Sequence, residues 1–211
     1  MTRRTFQHQP KEVRKSSLVE AALDAVADEG LSGATVREVA ERASVTPGLI
    51  RKYFMSKDNL IQAAYKSFVD DLVEKTVTQI GNGSTEERLR QLVEATCQLP
   101  FTDKRTISIW AAFIGMTHDD PEMLEIHRQG YQAFRDVIAS IIESFYKERG
   151  TVQPSEVIRL KAIAVNAVLD GFWLEVALSP EVFDEIDVVQ LVHESIIAIL
   201  GSTPENVRVI S

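Results

Sequence analysis

Arg51, Lys52, Tyr53 and Lys57 fall within one short stretch, TPGLIRKYFMSK (residues 46–57), of a chain whose formal net charge is −8. A guanidinium such as Arg51 forms a two-pronged pair with guanine or clamps a phosphate. The Lys52 ammonium and the Tyr53 hydroxyl suit phosphate oxygens, which position a protein on a duplex without reading its sequence. Lys57 sits at the start of a further helical pattern, where free N–H groups and its own charge hold another phosphate. Thr46 and Pro47 stand at the leading end, and Gly48 lets the backbone approach a partner closely. Upstream, Thr35 opens another short helix and does a similar job, with Arg37 reaching toward a base edge or a phosphate. An exposed Arg-Lys pair is also what an ordinary solvated helix face carries, so the surroundings must decide.

The charge is unevenly spread. Residues 1–57 carry ten Lys and Arg against seven Asp and Glu, whereas residues 58–211 carry thirteen against twenty-four. A mildly basic head on an acidic body implies a polyanionic partner for the head alone. The N-terminal arm, with Arg3, Arg4, Lys11, Arg14 and Lys15, is expected to reach an adjacent minor groove or simply to be solvated. The four histidines, His8, His118, His127 and His193, are scattered, and no triad, carboxylate pair or metal-ligand spacing unites them. No catalytic residue, metal or cofactor is expected, and the chain is not read as an enzyme. Cys97 stands alone, which excludes a disulfide framework and suits a reducing cytoplasm. No apolar run is long enough to span a membrane.

Nearly every segment has helical spacing, and an all-α fold of about nine helices is expected. Leu18, Ala22, Ala25 and Val26 stripe a first helix over 11–29, stopped by Gly30. Thr35 with Glu38 forms a capping box for a second, short helix. Thr46 followed by Pro47 starts a third, which ends near Phe54 because Ser56 caps a long fourth one. Val77 is counted on the inward face of that fourth helix. Ser84 with Glu87 is a second capping box, Pro100 is a stop, and Asp120-Pro121 opens another helix. The second and third helices are two turns each and joined by Ser44-Val45 alone. They are too short to stand by themselves and must pack on their neighbours, with Val39, Ala40, Val45 and Ile50 as shared core. That is the layout of a helix-turn-helix, whose second member enters the major groove.

The segment TVREVAERASVTPGLIRKYFMSKDNLI resembles the DNA-binding head of the TetR family of bacterial repressors, through Thr35, Val39, Ala40, Ala43, Val45, Gly48, Ile50, Tyr53, Phe54, Lys57 and Leu60. The resemblance implies a three-helix head over 1–57 and a larger ligand-binding and dimerisation body over 58–211. It implies that Thr35, Arg37, Thr46, Pro47, Gly48, Arg51, Lys52, Tyr53 and Lys57 face DNA. Ser44 departs from the glycine common in the family, and Arg51 from its usual tyrosine.

In the body, Ile158, Ile163, Ala167, Val168 and Phe172 stripe one late helix, and Val188, Leu191, Val192, Ile196 and Ile199 stripe the last. They are either intrachain core or, as the family implies, part of a four-helix bundle between two subunits. Trp110 and Phe113, with Met116 and His118 on related faces, and Tyr131, Asp170 and Trp173 are the candidate effector residues. Aromatic faces with a carboxylate suit a cationic ligand, a quaternary ammonium above all. The order of a tryptophan-bearing central helix and a late LDGFWLEVALS is similar to BetI-type repressors, which implies a choline-like effector. The expected function is a homodimeric repressor that binds a palindromic DNA operator and is released by a small molecule. The alternatives are a TetR-type regulator with an unrelated effector, and a helical adaptor or scaffold without DNA binding.

Overall fold

Starts and stops fall where local side-chain chemistry puts them. In the computed structural model, which describes residues 10–97 and 102–201, the described residues form nine α-helices and no strand. These are α1 Lys11–Gly33, α2 Val36–Arg42, α3 Pro47–Tyr53, α4 Lys57–Gln79, α5 Thr85–Cys97, α6 Lys104–Met116, α7 Pro121–Glu148, α8 Ser155–Leu178 and α9 Val188–Gly201, with a 3-10 turn at Pro180–Val182. The Ser56 hydroxyl accepts from Asn59 N at 3.1 Å and caps α4. Ser84 and Glu87 complete their reciprocal box at α5, with Ser84 N donating to Glu87 Oε2 at 2.8 Å and Glu87 N to Ser84 Oγ at 3.3 Å. Asp120 Oδ1 accepts from Glu122 N at 2.9 Å to open α7. Gly150, at φ 69, closes it, with Thr151 N donating to Tyr146 O at 3.0 Å. Gly30 adopts φ 69 as expected of a stop, but the chain resumes helical geometry beyond it and α1 runs on to Gly33. The expected stop at Pro100 lies outside the described residues.

Two compact units result. One comprises Met1–Val69 and Ser108–His127, the other Asp70–Ile107 and Arg128–Ser211. The unit containing α2 and α3 also takes the first half of α4, most of α6 and the first turns of α7. Its core joins Leu18, Ala22, Ala25 and Val26 of α1 to Val39 and Ala40, to Ile50 and Phe54, and to Leu60, Ala64 and Tyr65, all buried. The Tyr65 ring stacks on Phe113 with centroids 4.7 Å apart, and its hydroxyl meets His127 Nδ1 at 2.8 Å.

In the other unit α5, α7, α8 and α9 enclose Leu89, Leu92, Val93, Ile138, Ile141, Ile142, Ile158, Val165, Leu169, Val192 and Ile196. Lys161 is buried there, and its Nζ donates to Ile199 O at 2.5 Å while the Tyr146 hydroxyl donates to Leu200 O. Two side chains thus satisfy the carbonyls at the end of α9, where a cation also meets the negative end of the helix dipole. Burial holds the Lys161 ammonium below its usual pKa. The expected inward Val77 is instead 46% exposed. Thr76 takes the inward position, because its hydroxyl donates to Leu72 O at 3.0 Å and so loses nothing on burial.

Candidate functional site

The geometry of the two short helices is set by one joint and one ion-pair cluster. Thr35 Oγ1 accepts from Glu38 N at 3.2 Å, so Thr35 caps α2 and keeps its hydroxyl proton available for a partner. The reciprocal half of the expected capping box is not made. Thr35 N donates to Gly33 O at 2.6 Å, and the Glu38 carboxylate turns to Arg42. Arg42 is held by three carboxylates, Asp28 at 2.6 Å, Glu29 at 2.8 Å and Glu38 at 2.7 Å, which raise its pKa further and fasten α2 to the end of α1. Ser44 then turns the chain in the left-handed region, at φ 53. Val45 N donates back to Ala40 O at 2.9 Å, and Thr46 enters α3 with Pro47 at its first position. Thr46 occupies the N-cap position by backbone alone, without a side-chain hydrogen bond.

What this joint presents is an open face. Thr35, Arg37, Thr46, Pro47, Gly48, Arg51 and Lys52 are exposed, and Tyr53 is half-buried. Arg37, Arg51 and Lys52 have no ion-pair or hydrogen-bond partner among the described residues, in contrast to Arg42. Lys57 also serves the fold. Its Nζ donates to Leu31 O at 2.9 Å, so one of its three donors ties the start of α4 to the end of α1. Of the basic arm, Lys11, Arg14 and Lys15 lie on the opening turns of α1 and not on a separate arm, with Lys15 5.9 Å from the Phe54 ring centroid. Arg3 and Arg4 lie outside the described residues.

The candidate effector residues divide between the units. Trp110 is half-buried in the first unit. Phe113 is fully buried there and packed by Tyr65 and Phe68, the latter with centroids 6.4 Å apart. In the second unit Asp170 and Trp173 share a face of α8, one turn apart. Asp170 is half-buried, and burial pushes its carboxyl up to about 6 against the opposing effect of hydrogen bonds from Tyr131 and Asn166 and the charge of Arg135. Asn166 Nδ2 donates to Asp170 Oδ2 at 2.6 Å, which fixes the amide and leaves the buried Asn166 Oδ1 without a hydrogen-bond partner. The structure thus brings Tyr131 and Asp170 together and adds Asn166 and Arg135, both passed over in the sequence. Asn166, four residues before Asp170 on one helix, was legible by spacing; Arg135, on another helix, was not. No group of three or more His, Cys, Asp or Glu that could hold a metal occurs among the described residues. Burial pushes the Cys97 thiol up to about 11, so it is protonated at neutral pH. Among the described residues no helix is long and apolar enough to cross a membrane.

Two short helices with a tight joint, on a frame that is all-helical among the described residues, define a helix-turn-helix regulator. Comparison with known proteins agrees. The family model described as bacterial regulatory proteins, tetR family, matches residues 18–64, and that of the BetI-type transcriptional repressor, C-terminal, matches residues 85–201, more than half of the chain. The chain belongs to the TetR family and, within it, to the BetI-type transcriptional repressors. The HTH-type transcriptional regulator BetI of Paraburkholderia phytofirmans is 29% identical over 194 residues, 91% of this chain and 96% of that relative. A transcriptional regulator from Pseudomonas aeruginosa PAO1 has a crystal structure that superposes with a TM-score of 0.81 at 28% identity, covering 92% of this chain and 93% of that one. A transcriptional regulator from Saccharomonospora viridis, solved in complex with choline, shares the fold with a TM-score of 0.70 at 17% identity, covering 90% of this chain and 96% of that one. The chain is therefore a transcriptional regulator, as its relatives are.

Proposed function

We propose that this regulator binds a palindromic operator as a homodimer through Thr35, Arg37, Thr46, Pro47, Gly48, Arg51, Lys52, Tyr53 and Lys57, and is released by a small cationic effector. The observation that supports the DNA face is the contrast between Arg42, neutralised by three carboxylates, and Arg37, Arg51 and Lys52, exposed and without partners among the described residues. Cations left unpaired on the leading face of a groove-sized helix are what phosphates and base edges require. Homodimerisation would set two such helices one helical turn of DNA apart.

Asp170, with Tyr131 and Trp173, is the proposed anchor of the effector. A half-buried carboxylate beside an aromatic face suits a quaternary ammonium, and the choline-bound regulator of the same fold makes choline the first compound to test. The effector releases DNA only through a difference in affinity for the two states. The experiment is titration of a labelled fragment from the protein's own promoter region at several salt concentrations. Arg51→Ala should weaken binding by about 1–3 kcal/mol, and Lys52→Ala should reduce the salt slope by roughly one. Binding that ignores salt, or survives both changes, would sink the DNA face. Choline should then release the fragment from the parent and not from Asp170→Ala; release by anionic ligands alone would sink the cation site.

A further inference from the structure

Arg88, in the acidic body of the chain, is a cation without a counter-ion among the described residues. It stands in the first turns of α5, half-buried, and its guanidinium makes one long contact, from Nη1 to Ser144 Oγ at 3.5 Å. Other arginines of the same unit are engaged: Arg90 with Glu94, Arg159 with Glu156 at 2.6 Å, and Arg149 over the Phe145 ring at 3.5 Å from its centroid. The residues three and four positions away from Arg88 on its helix are Ser84, Thr85, Gln91 and Leu92, none of them acidic. Two carboxylates near this turn have other duties. Glu148 accepts from Thr85 N at 3.2 and 3.3 Å, and Glu87 caps Ser84. A guanidinium partly removed from water, with most of its five donors unused, attracts an anion more strongly than one in bulk solvent.

Arg88 also lines a groove of about 530 Å³. Val77, Ile80 and Val137 form its apolar wall, the Gly81–Gly83 loop its rim, and among the described residues no other charged side chain lines it. The volume is that of a small-molecule site. The exposed Val77, anomalous as a helix-face residue, gains a purpose as part of this wall. Ser140 also borders the groove, but its hydroxyl proton goes to Val137 O at 2.8 Å, so the guanidinium is the single donor of charge. One cation beside an aliphatic wall selects one carboxylate with an alkyl tail; a phosphate's second charge would go unmatched.

We infer that the groove between the end of α4, the start of α5 and α7 is a binding site for a small aliphatic monocarboxylate, held by Arg88 and packed on Val77, Ile80 and Val137. It is separate from the Asp170 cluster and does not depend on the effector assigned there. The test is calorimetric titration of the full chain with isovalerate, with isoamyl alcohol as the uncharged analogue and chloride at matched ionic strength. Saturable binding of isovalerate, absent for the alcohol and for chloride, is expected. Arg88→Gln should weaken it by about tenfold or more, the loss of a charge-assisted hydrogen bond. Ser140→Asp, which sets a carboxylate on the groove and leaves Arg88 in place, should do the same and keeps the test valid should Arg88→Gln misfold. No saturable binding to the parent, equal binding of the alcohol, or unchanged affinity in both variants would overturn the site. None of these outcomes touches the DNA-binding reading, which is measured on the operator fragment.

Discussion

At the scale of single residues, environment separates side chains of the same type. Arg42 and Arg51 are both arginines of the helix-turn-helix, yet one is a rivet and the other an open hand. Three carboxylates around Arg42 make it part of the fold. Removing it should cost stability before it costs recognition. Asp170 is the acidic counterpart, a carboxylate that the fold shields from water while Tyr131, Asn166 and Arg135 only partly compensate. Its carboxyl titrates at about 6 against an ordinary 3.8, so the folded protein holds that proton more tightly than the unfolded chain. The stability this contributes is complete below the unfolded value and is lost as the pH rises through about 6. Asp170→Asn, neutral throughout, should therefore gain on the parent at about pH 8, by roughly 1–2 kcal/mol after allowing for its partial exposure, and lose that gain near pH 4. Urea unfolding at the two pH values checks it. A gap that does not change with pH would mean that the carboxyl is not shielded in the folded protein. That residual cost is the kind of local concession a binding site makes, since a cation placed at Asp170 would remove it.

At the scale of elements, the Ser44 joint decides how α3 leaves α2. An L-residue at φ 53 carries about 1 kcal/mol of steric cost that glycine would not. Ser44→Gly should leave stability within about 1 kcal/mol of the parent or raise it, the relief being offset by the freer unfolded chain. Ser44→Val, β-branched and poorly tolerated there, should lose more than about 1 kcal/mol. Thermal unfolding of the pair measures both, and a valine variant as stable as the parent would contradict the left-handed turn. The departure from the family's glycine made this position suspect in the sequence, and the backbone shows why. Caps were legible for the same reason: Ser56, Ser84 with Glu87, and Asp120 act on partners two or three residues away. What was not legible involves distant partners. Glu38 suits a reciprocal cap by local rules but is drawn to Arg42, which Asp28 and Glu29 hold from α1. The bond from Lys57 Nζ to Leu31 O, 26 residues back, was likewise beyond local rules, and it leaves two of the three ammonium donors for a phosphate. Val77 and Thr76 exchanged faces because a hydroxyl that bonds its own helix can be buried without loss. Of the candidate effector cluster, Asp170 and Trp173 followed from helical spacing, while the Tyr131 and Arg135 contacts required the packing of α7 on α8.

At the scale of the whole molecule, α8 and α9 carry more apolar surface than the described residues of their own chain cover. Ile158, Ala162, Val165, Leu169 and Trp173 bury one face of α8, and Val192, Ile196 and Leu200 one face of α9. The stripe read from the sequence mixed two faces. Ile163 and Leu191, each 38% exposed, belong to a second one, with Val168, Phe172 and Val188 only half-buried beside them. A helix that is apolar around most of its circumference is one that is covered on more than one side. Under the homodimer proposed above, a second copy of the chain is that cover, since the symmetric pair of heads that a palindromic operator would take needs a symmetric contact. Symmetry places every interface substitution twice. Ile163→Asp and Leu191→Asp should therefore each set two carboxylates in an apolar contact, at a cost of several kcal/mol per dimer. Sedimentation should show a shift from dimer to monomer, with the helical circular dichroism unchanged because both side chains lie away from the core face. Operator affinity should fall with it, by about a hundredfold at fixed protein concentration, as the two half-sites cease to be bound together. A variant that remained dimeric and kept its operator affinity would move the subunit contact off α8 and α9. A variant that became monomeric yet bound DNA as tightly as before would sever dimerisation from recognition.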